Sequence, residues 1–184
     1  MPAYGSNIQR LFVAAYPPPE SVAAWGTALR SLELPPHRET PPEQVHLTLH
    51  FIGDTDKRQL DDVIESVRRS ASGLSVFSLD VDRLITLPER GPARLIAAAA
   101  KPQPTATELH ERLARRLARP GKRRETFLPH LTLCRFDAPA ANHLDHVIAR
   151  EVFRVEEIVL VRSVLGPAGA AHAPVARIPL NSAP

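Results

Sequence analysis

The sequence predicts an α+β fold of two pseudo-symmetric lobes. Each is expected to be a mainly antiparallel sheet with flanking helices, and the candidate site should lie in a cleft between them. Three observations lead there. The tetrapeptide His-Leu-Thr-Leu occurs twice, at 46–49 and 130–133. By composition, a given His is followed by Leu-Thr-Leu on the order of once in a thousand times, so chance is a poor account. The same offset, from 46 to 130, aligns Arg10-Leu11 with Arg94-Leu95, Ala14-Ala15 with Ala98-Ala99, and Leu29 with Leu113. It also aligns Leu60, Asp61, Val63 and Ile64 with Leu144, Asp145, Val147 and Ile148. One register relating two units reads as an internal duplication. Finally, strand-like and helix-like segments follow each other in the same order in both halves, and each half is too small for a doubly wound parallel sheet. No Gly/Ser-rich linker separates the halves, so residues 1–184 are expected to pack as a single bilobal domain.

The elements can be justified in order. Leu11–Tyr16 is a short apolar run, read as a buried strand and ended by Pro17-Pro18-Pro19. Val22, Trp25, Leu29 and Leu32 then recur at helical spacing. In Val45–Ile52, strict alternation puts Leu47, Leu49 and Phe51 on one face and His46, Thr48 and His50 on the other. Gly53-Asp54-Thr55 is expected to turn the chain and cap a helix striped by Leu60, Val63, Ile64 and Val67. Val76–Val81 reads as a strand and Pro88–Pro92 as a loop. In the second half, Arg94–Ala100 is a strand, and Leu109, Leu113 and Leu117 stripe a helix ending near Pro120-Gly121. Phe127–Cys134 is the second motif strand. A shorter helix carrying Leu144, Val147 and Ile148 is expected next, then closing strands at Phe153–Val164 and Val175–Leu180.

Composition narrows the class. A chain of 184 residues that is 43% hydrophobic and 23% charged can bury a real core. No apolar run is long enough to cross a membrane, and no signal-peptide pattern opens the chain, so a cytoplasmic location is expected. The single Cys134 leaves no internal disulfide and no cysteine-based zinc site. A net charge of +3 leans mildly toward an anionic partner. Glycine-rich phosphate loops, G-x-S-x-G and H-E-x-x-H are absent, which removes support for nucleotide-driven, serine-nucleophile and zincin chemistry.

The chemistry rests on the repeated motif. A His and a Thr two residues apart on a strand point the same way, so each copy offers a proton-transfer group and a hydroxyl on one face. Two imidazoles facing each other suit a reaction that needs one general base and one general acid near neutral pH. Thr48 and Thr132 can donate to non-bridging oxygens. Displacement at phosphorus needs this set, and it calls for no metal and no cofactor.

These residues carry a resemblance. The paired H-x-T-x motifs, with RLFVAAYPP at 10–18, PPEQVHLTLHFIGD at 41–54, PHLTLCRF at 129–136 and VLVRSVLGPAG at 159–169, resemble the two-histidine (2H) phosphoesterase superfamily. Within it they look like the bacterial RNA 2′,3′-cyclic phosphodiesterase / 2′-5′ RNA ligase branch. The resemblance implies hydrolysis of a terminal 2′,3′-cyclic phosphate of RNA to a 2′-phosphate, with a reversible 2′-5′ RNA ligase activity in which a hydroxyl replaces water. It makes His46 the proton donor and His130 the proton acceptor, with Thr48 and Thr132 on the phosphate. The sequence itself leaves acid and base unassigned. The chain departs from the branch in two places. Glu39 or Thr40 stands where an aromatic residue is frequent, and His172 where a Tyr often follows the late glycine.

Other residues are secondary candidates. Arg135 is a phosphate contact in the family pattern, but strict alternation would turn it away from Thr132 unless a bulge intervenes. Cys134 shares the His130 face by alternation. His50 lines the cleft or the surface, and Phe51 stacks an RNA base or belongs to the core. Arg123 and Arg124, within a basic stretch that begins at Arg115-Arg116, either guide an RNA backbone or cap a helix C-terminus. The expected partner is RNA with 2′,3′-cyclic phosphate ends, tRNA fragments among them, acted on by a monomer. Two rivals stand beside this reading: a phosphodiesterase for small cyclic or 2′,5′-linked nucleotides, and an RNA-end-binding module with weak catalysis.

Overall fold

The computed structural model describes residues 7–117, 126–141, 143–166 and 169–182. Their fold is α+β. Nine strands form one sheet: β1 (Ile8–Ala15), β2 (His37–Glu39), β3 (Leu47–Asp56), β4 (Phe77–Leu87), β5 (Ala93–Ala100), β6 (His130–Ala140), β7 (Asp145–Val155), β8 (Glu157–Gly166) and β9 (Gly169–Pro179). The helices are α1 (Pro19–Arg30), α2 (Leu60–Ala71) and α3 (Pro104–Arg116). Among the described residues, no helix is long and apolar enough to cross a membrane.

The strand order is β7-β4-β5-β6-β3-β1-β8-β9, with β2 on the edge of β6 and every strand pairing antiparallel. The order is palindromic about the β6–β3 junction. β1 corresponds to β5 and β3 to β6, while β8 and β9 mirror β4 and β7. The duplication read from the sequence is therefore visible as topology from β1 through β3 and from β5 through β6. At the junction the two motif strands share one ladder pair, Leu47 opposite Leu131. Beyond it they part, because β2 takes over the edge of β6, with Glu39 opposite Cys134 and Thr40 N–H bonded to Leu133 O at 2.7 Å.

The duplication register fails after the motif strands, and with it the expected helix at 144–148. Residues 60–71 are the helix α2, while their offset counterparts form β7. The i, i+3, i+4 spacing of Leu144, Val147 and Ile148 was suggestive, but Val147 is 70% exposed and has no core face to bury. The segment is rich in β-branched residues, and β4 offers a free edge that it pairs with from Phe77–Val155 to Ile85–Asp145. The expected strand at 153–164 is two strands divided at Glu156, which separates opposite wings of the sheet. One residue can join them only if the sheet bends round. Contacts at that end show that it does: Leu180 N–H bonds Glu156 O at 2.8 Å, and Val76 N–H bonds Asn181 O at 2.9 Å.

The helices lock the wings together. α1 follows β1 yet packs beneath the opposite wing, with Trp25 against Phe153 of β7 at 5.9 Å between ring centroids. α3 follows β5 and reaches β3, where His110 Nδ1–H donates to Leu49 O at 2.7 Å. All three helices bury their stripes in one apolar cluster that includes Trp25, Leu29, Val67, Leu109 and Leu113. The other face of the sheet carries a smaller cluster of Phe12, Ala14, Val159 and Val161, with Tyr16 against it. Where Gly53-Asp54-Thr55 was expected to turn, β3 instead runs on to Asp56 with Gly53 at φ 84. The cap is Asp56, whose carboxylate accepts from Arg58 N–H at 2.9 Å, and a single 3-10 turn leads into α2.

Candidate active site

The site grows from the Leu47–Leu131 pair. Both leucines are fully buried on the helix side, so their neighbours His46, Thr48, His130 and Thr132 face the other way. An antiparallel register sets His46 across from Thr132, and Thr48 across from His130. The two imidazoles then lie on a diagonal, where Cα separations are roughly 7–8 Å, room for a tetrahedral phosphate between them.

Each His is aimed by the same local device. His46 Nδ1–H donates to Gln44 O at 2.6 Å, and His130 Nδ1–H donates to Leu128 O at 2.8 Å. A carbonyl can only accept, so Nδ1 carries the proton in both rings, leaving Nε2 for substrate. In His46, Nε2 lies 3.1 Å from Thr48 Oγ1, whose hydroxyl donates to it when the ring is neutral.

Bulges decide what else reaches this face. In β6 the pairing with β5 jumps from Ile96–Cys134 to Ala97–Thr132, skipping Leu133. Leu133 and Cys134 are both buried, and Arg135 is returned to the Thr132 side, exposed. This is the bulge that Arg135 required, and it corrects the expectation that Cys134 shares the His130 face. β3 has its counterpart. Pairing with β1 jumps from Val13–His50 to Ala14–Thr48, skipping Leu49. His50 thus joins the side of buried Val13 and packs 6.1 Å from the His110 ring of α3, away from His46. Phe51 takes the place strict alternation gave to His50. It is 59% exposed and 6.1 Å from the Phe12 ring. Arg123 and Arg124 lie outside the described residues.

The two histidines differ in surroundings. Three rings pack around His46: Phe12 at 4.9 Å, Tyr16 at 5.6 Å and His172 at 5.1 Å. Burial drives the His46 imidazole down to about 4. Its bond to the Gln44 carbonyl pulls the other way, and His172, His130 and Arg135 add repulsion. Burial also lowers the His172 imidazole and raises the Tyr16 phenol, the latter opposed by Arg177. Phe12 and Tyr16 were missed in the sequence because β1 is buried on both faces, so its apolar run shows no alternation. His172 entered only as a departure from a pattern.

The family model of the 2′-5′ RNA ligase superfamily matches residues 18–167. The chain belongs to that superfamily. A curated superfamily relative, the RNA 2′,3′-cyclic phosphodiesterase of Thermus thermophilus, is 31% identical over 170 residues, covering 87% of this chain and 84% of that protein. One of the same description from Methanothermobacter thermautotrophicus is 30% identical over 136 residues, 70% of this chain and 74% of its own. A crystal structure of a Thermus thermophilus protein superposes with a TM-score of 0.77 at 27% identity, covering 94% of this chain and 98% of that one. E. coli LigT complexed with 3′-AMP gives a TM-score of 0.81 at 24% identity, covering 95% and 99%, a likeness of fold.

Proposed function

We propose that the protein is an RNA 2′,3′-cyclic phosphodiesterase, a hydrolase that opens a terminal cyclic phosphate to a 2′-phosphate by proton transfer through His46 and His130. The observation that carries this reading is the pair of imidazoles flanking the Leu47–Leu131 crossing, each with Nδ1–H committed to a backbone carbonyl. The name of the Thermus thermophilus relative supports the substrate class.

In this reading His130 Nε2 takes a proton from water as its oxygen forms a bond to phosphorus. The bond from phosphorus to the 3′ oxygen breaks, its electron pair leaves with that oxygen, and His46 delivers a proton to it. Solvent then resets both rings. Thr48, Thr132 and Arg135 donate to the phosphate oxygens, and Phe51 stacks an adjoining base. A 5′ hydroxyl in place of the attacking water, with the same bond from phosphorus to the 3′ oxygen broken and His46 again protonating that oxygen, gives 2′-5′ ligation, and the reverse cleaves that linkage. Because one chain supplies both motifs, a monomer suffices. The buried, free Cys134 suits the reducing cytoplasm.

A His46 held near 4 is neutral in the empty site, yet a donor must be charged. The substrate supplies the difference. A negative charge about 4 Å away is worth about 4 kcal/mol at an effective dielectric of about 20, roughly three pKa units, which brings His46 back to the neutral range. The test is product analysis of an RNA oligomer ending in a 2′,3′-cyclic phosphate. The expected product ends in a 2′-phosphate. An untouched oligomer, or a 3′-phosphate product, overturns the proposal.

A further inference from the structure

The two motifs are near copies, yet a proton-transfer pair needs unlike partners. The ring contacts supply one difference. His46 is packed among Phe12, Tyr16 and His172, whereas His130 makes no ring contact among the described residues. His172 stands out within that enclosure. It sits on β9 opposite Ser163 of β8, and its ring meets His46 edge-on, at 5.1 Å and 77°. It meets Phe12 the same way, at 5.0 Å and 68°. Its Nδ1 is buried without a hydrogen-bond partner among the described residues. Buried polar atoms are nearly always paired, so an orphan against a reactive imidazole calls for an explanation. An Nδ1–H there would find no acceptor, which disfavours the imidazolium, the form that protonates both nitrogens.

We propose that His172 is a positioning residue for His46: the two imidazoles form a coupled pair that carries at most one proton, and this pairing distinguishes His46 from its duplicate His130. The proposal rests on the two-imidazole reading of the site. Among the described residues, the other charged or titratable groups facing the pair are His130 and Arg135 from β6, Tyr16 just after β1, and Arg177 of β9, itself ion-paired with Glu157. None of them is an acid aimed at His46 that would offset a second positive charge on His172. When His46 takes up a proton from solvent as substrate binds, His172 stays neutral and keeps its edge against the ring. The His46 ring is thereby held at one angle while its charge changes.

The experiment is an NMR titration of the His46 ring in the substrate-free full chain, comparing wild type with His172→Phe. Phenylalanine keeps an aromatic edge against His46 and Phe12 but removes both nitrogens. The proposal expects His46 to titrate higher in the variant by about half a unit or more, because the second imidazole competing for the pair's one proton has gone. It also expects kcat to change with little change in KM. An unchanged or lowered His46 midpoint overturns it. His172→Asn, which removes the charge and keeps a polar side chain, is read by the same criterion if His172→Phe does not fold. The titration needs no turnover. A raised midpoint in a protein that leaves the cyclic-phosphate oligomer intact would therefore sink the enzymatic reading and leave the coupling standing.

Discussion

At the residue scale, the proposed proton transfer rests on two side chains that identical short motifs deliver to one face. Replacing His46 or His130 with Ala is expected to cut turnover by a factor of at least about a hundred, the usual scale for one acid or base. The double variant should fall well short of the product, because both groups serve one concerted step. Near-normal turnover in either folded single variant would remove that residue from the scheme. His46 also ties the site to stability. Its folded-state value, about 4, lies below the unfolded value near 6.5, so the fold prefers the neutral ring. That contribution is fully present above about 6.5 and is lost as pH falls toward 4, at most about 3 kcal/mol. Denaturant titrations should show wild type losing more stability across that window than His46→Ala; parallel curves would mean that His46 is not held neutral. The histidines and threonines were legible in the sequence because the motif repeats. His172 was not, since it comes to His46 only through the order in which β9, β8 and β1 are laid side by side.

At the level of single elements, two bulges matter more than the regular strands around them. Alternation read from the sequence put His50 with His46, and Cys134 with His130. The inserted residues at Leu49-His50 and Leu133-Cys134 reverse this and bring Phe51 and Arg135 to the site. A bulge has a faint signature here, the consecutive apolar pair Leu133-Cys134, but pairing partners determine it and those lie in other strands. Arg135→Ala should lower kcat/KM about tenfold or more, the scale of a hydrogen bond to a charged group. It should leave stability within about 0.5 kcal/mol, as expected for an exposed side chain. A destabilised variant with unaltered kcat/KM would assign Arg135 to the fold instead. The misread segment at 144–148 has a similar origin. Local spacing favoured a helix, and the open edge of β4, invisible in the local sequence, made it a strand.

For the whole molecule, the duplication was legible as an offset between halves, but the sheet's closure was not. The first half completes its wing with β8 and β9 from the far end of the chain, while its own β4 serves the other wing. Helices α1 and α3 cross beneath opposite wings, so the floor of the site is held from both sides of the pseudo-twofold. In the proposed mechanism this arrangement holds one neutral and one protonated imidazole across a single phosphate. The decisive measurement is the pH dependence of kcat, since kcat reports the bound complex. Wild type should give a bell whose limbs belong to the coupled pair. The residual activity of His46→Ala should lack the basic limb, and that of His130→Ala the acidic limb. Loss of the acidic limb in His46→Ala would exchange the two roles, and an unaltered bell in either variant would contradict the two-histidine mechanism.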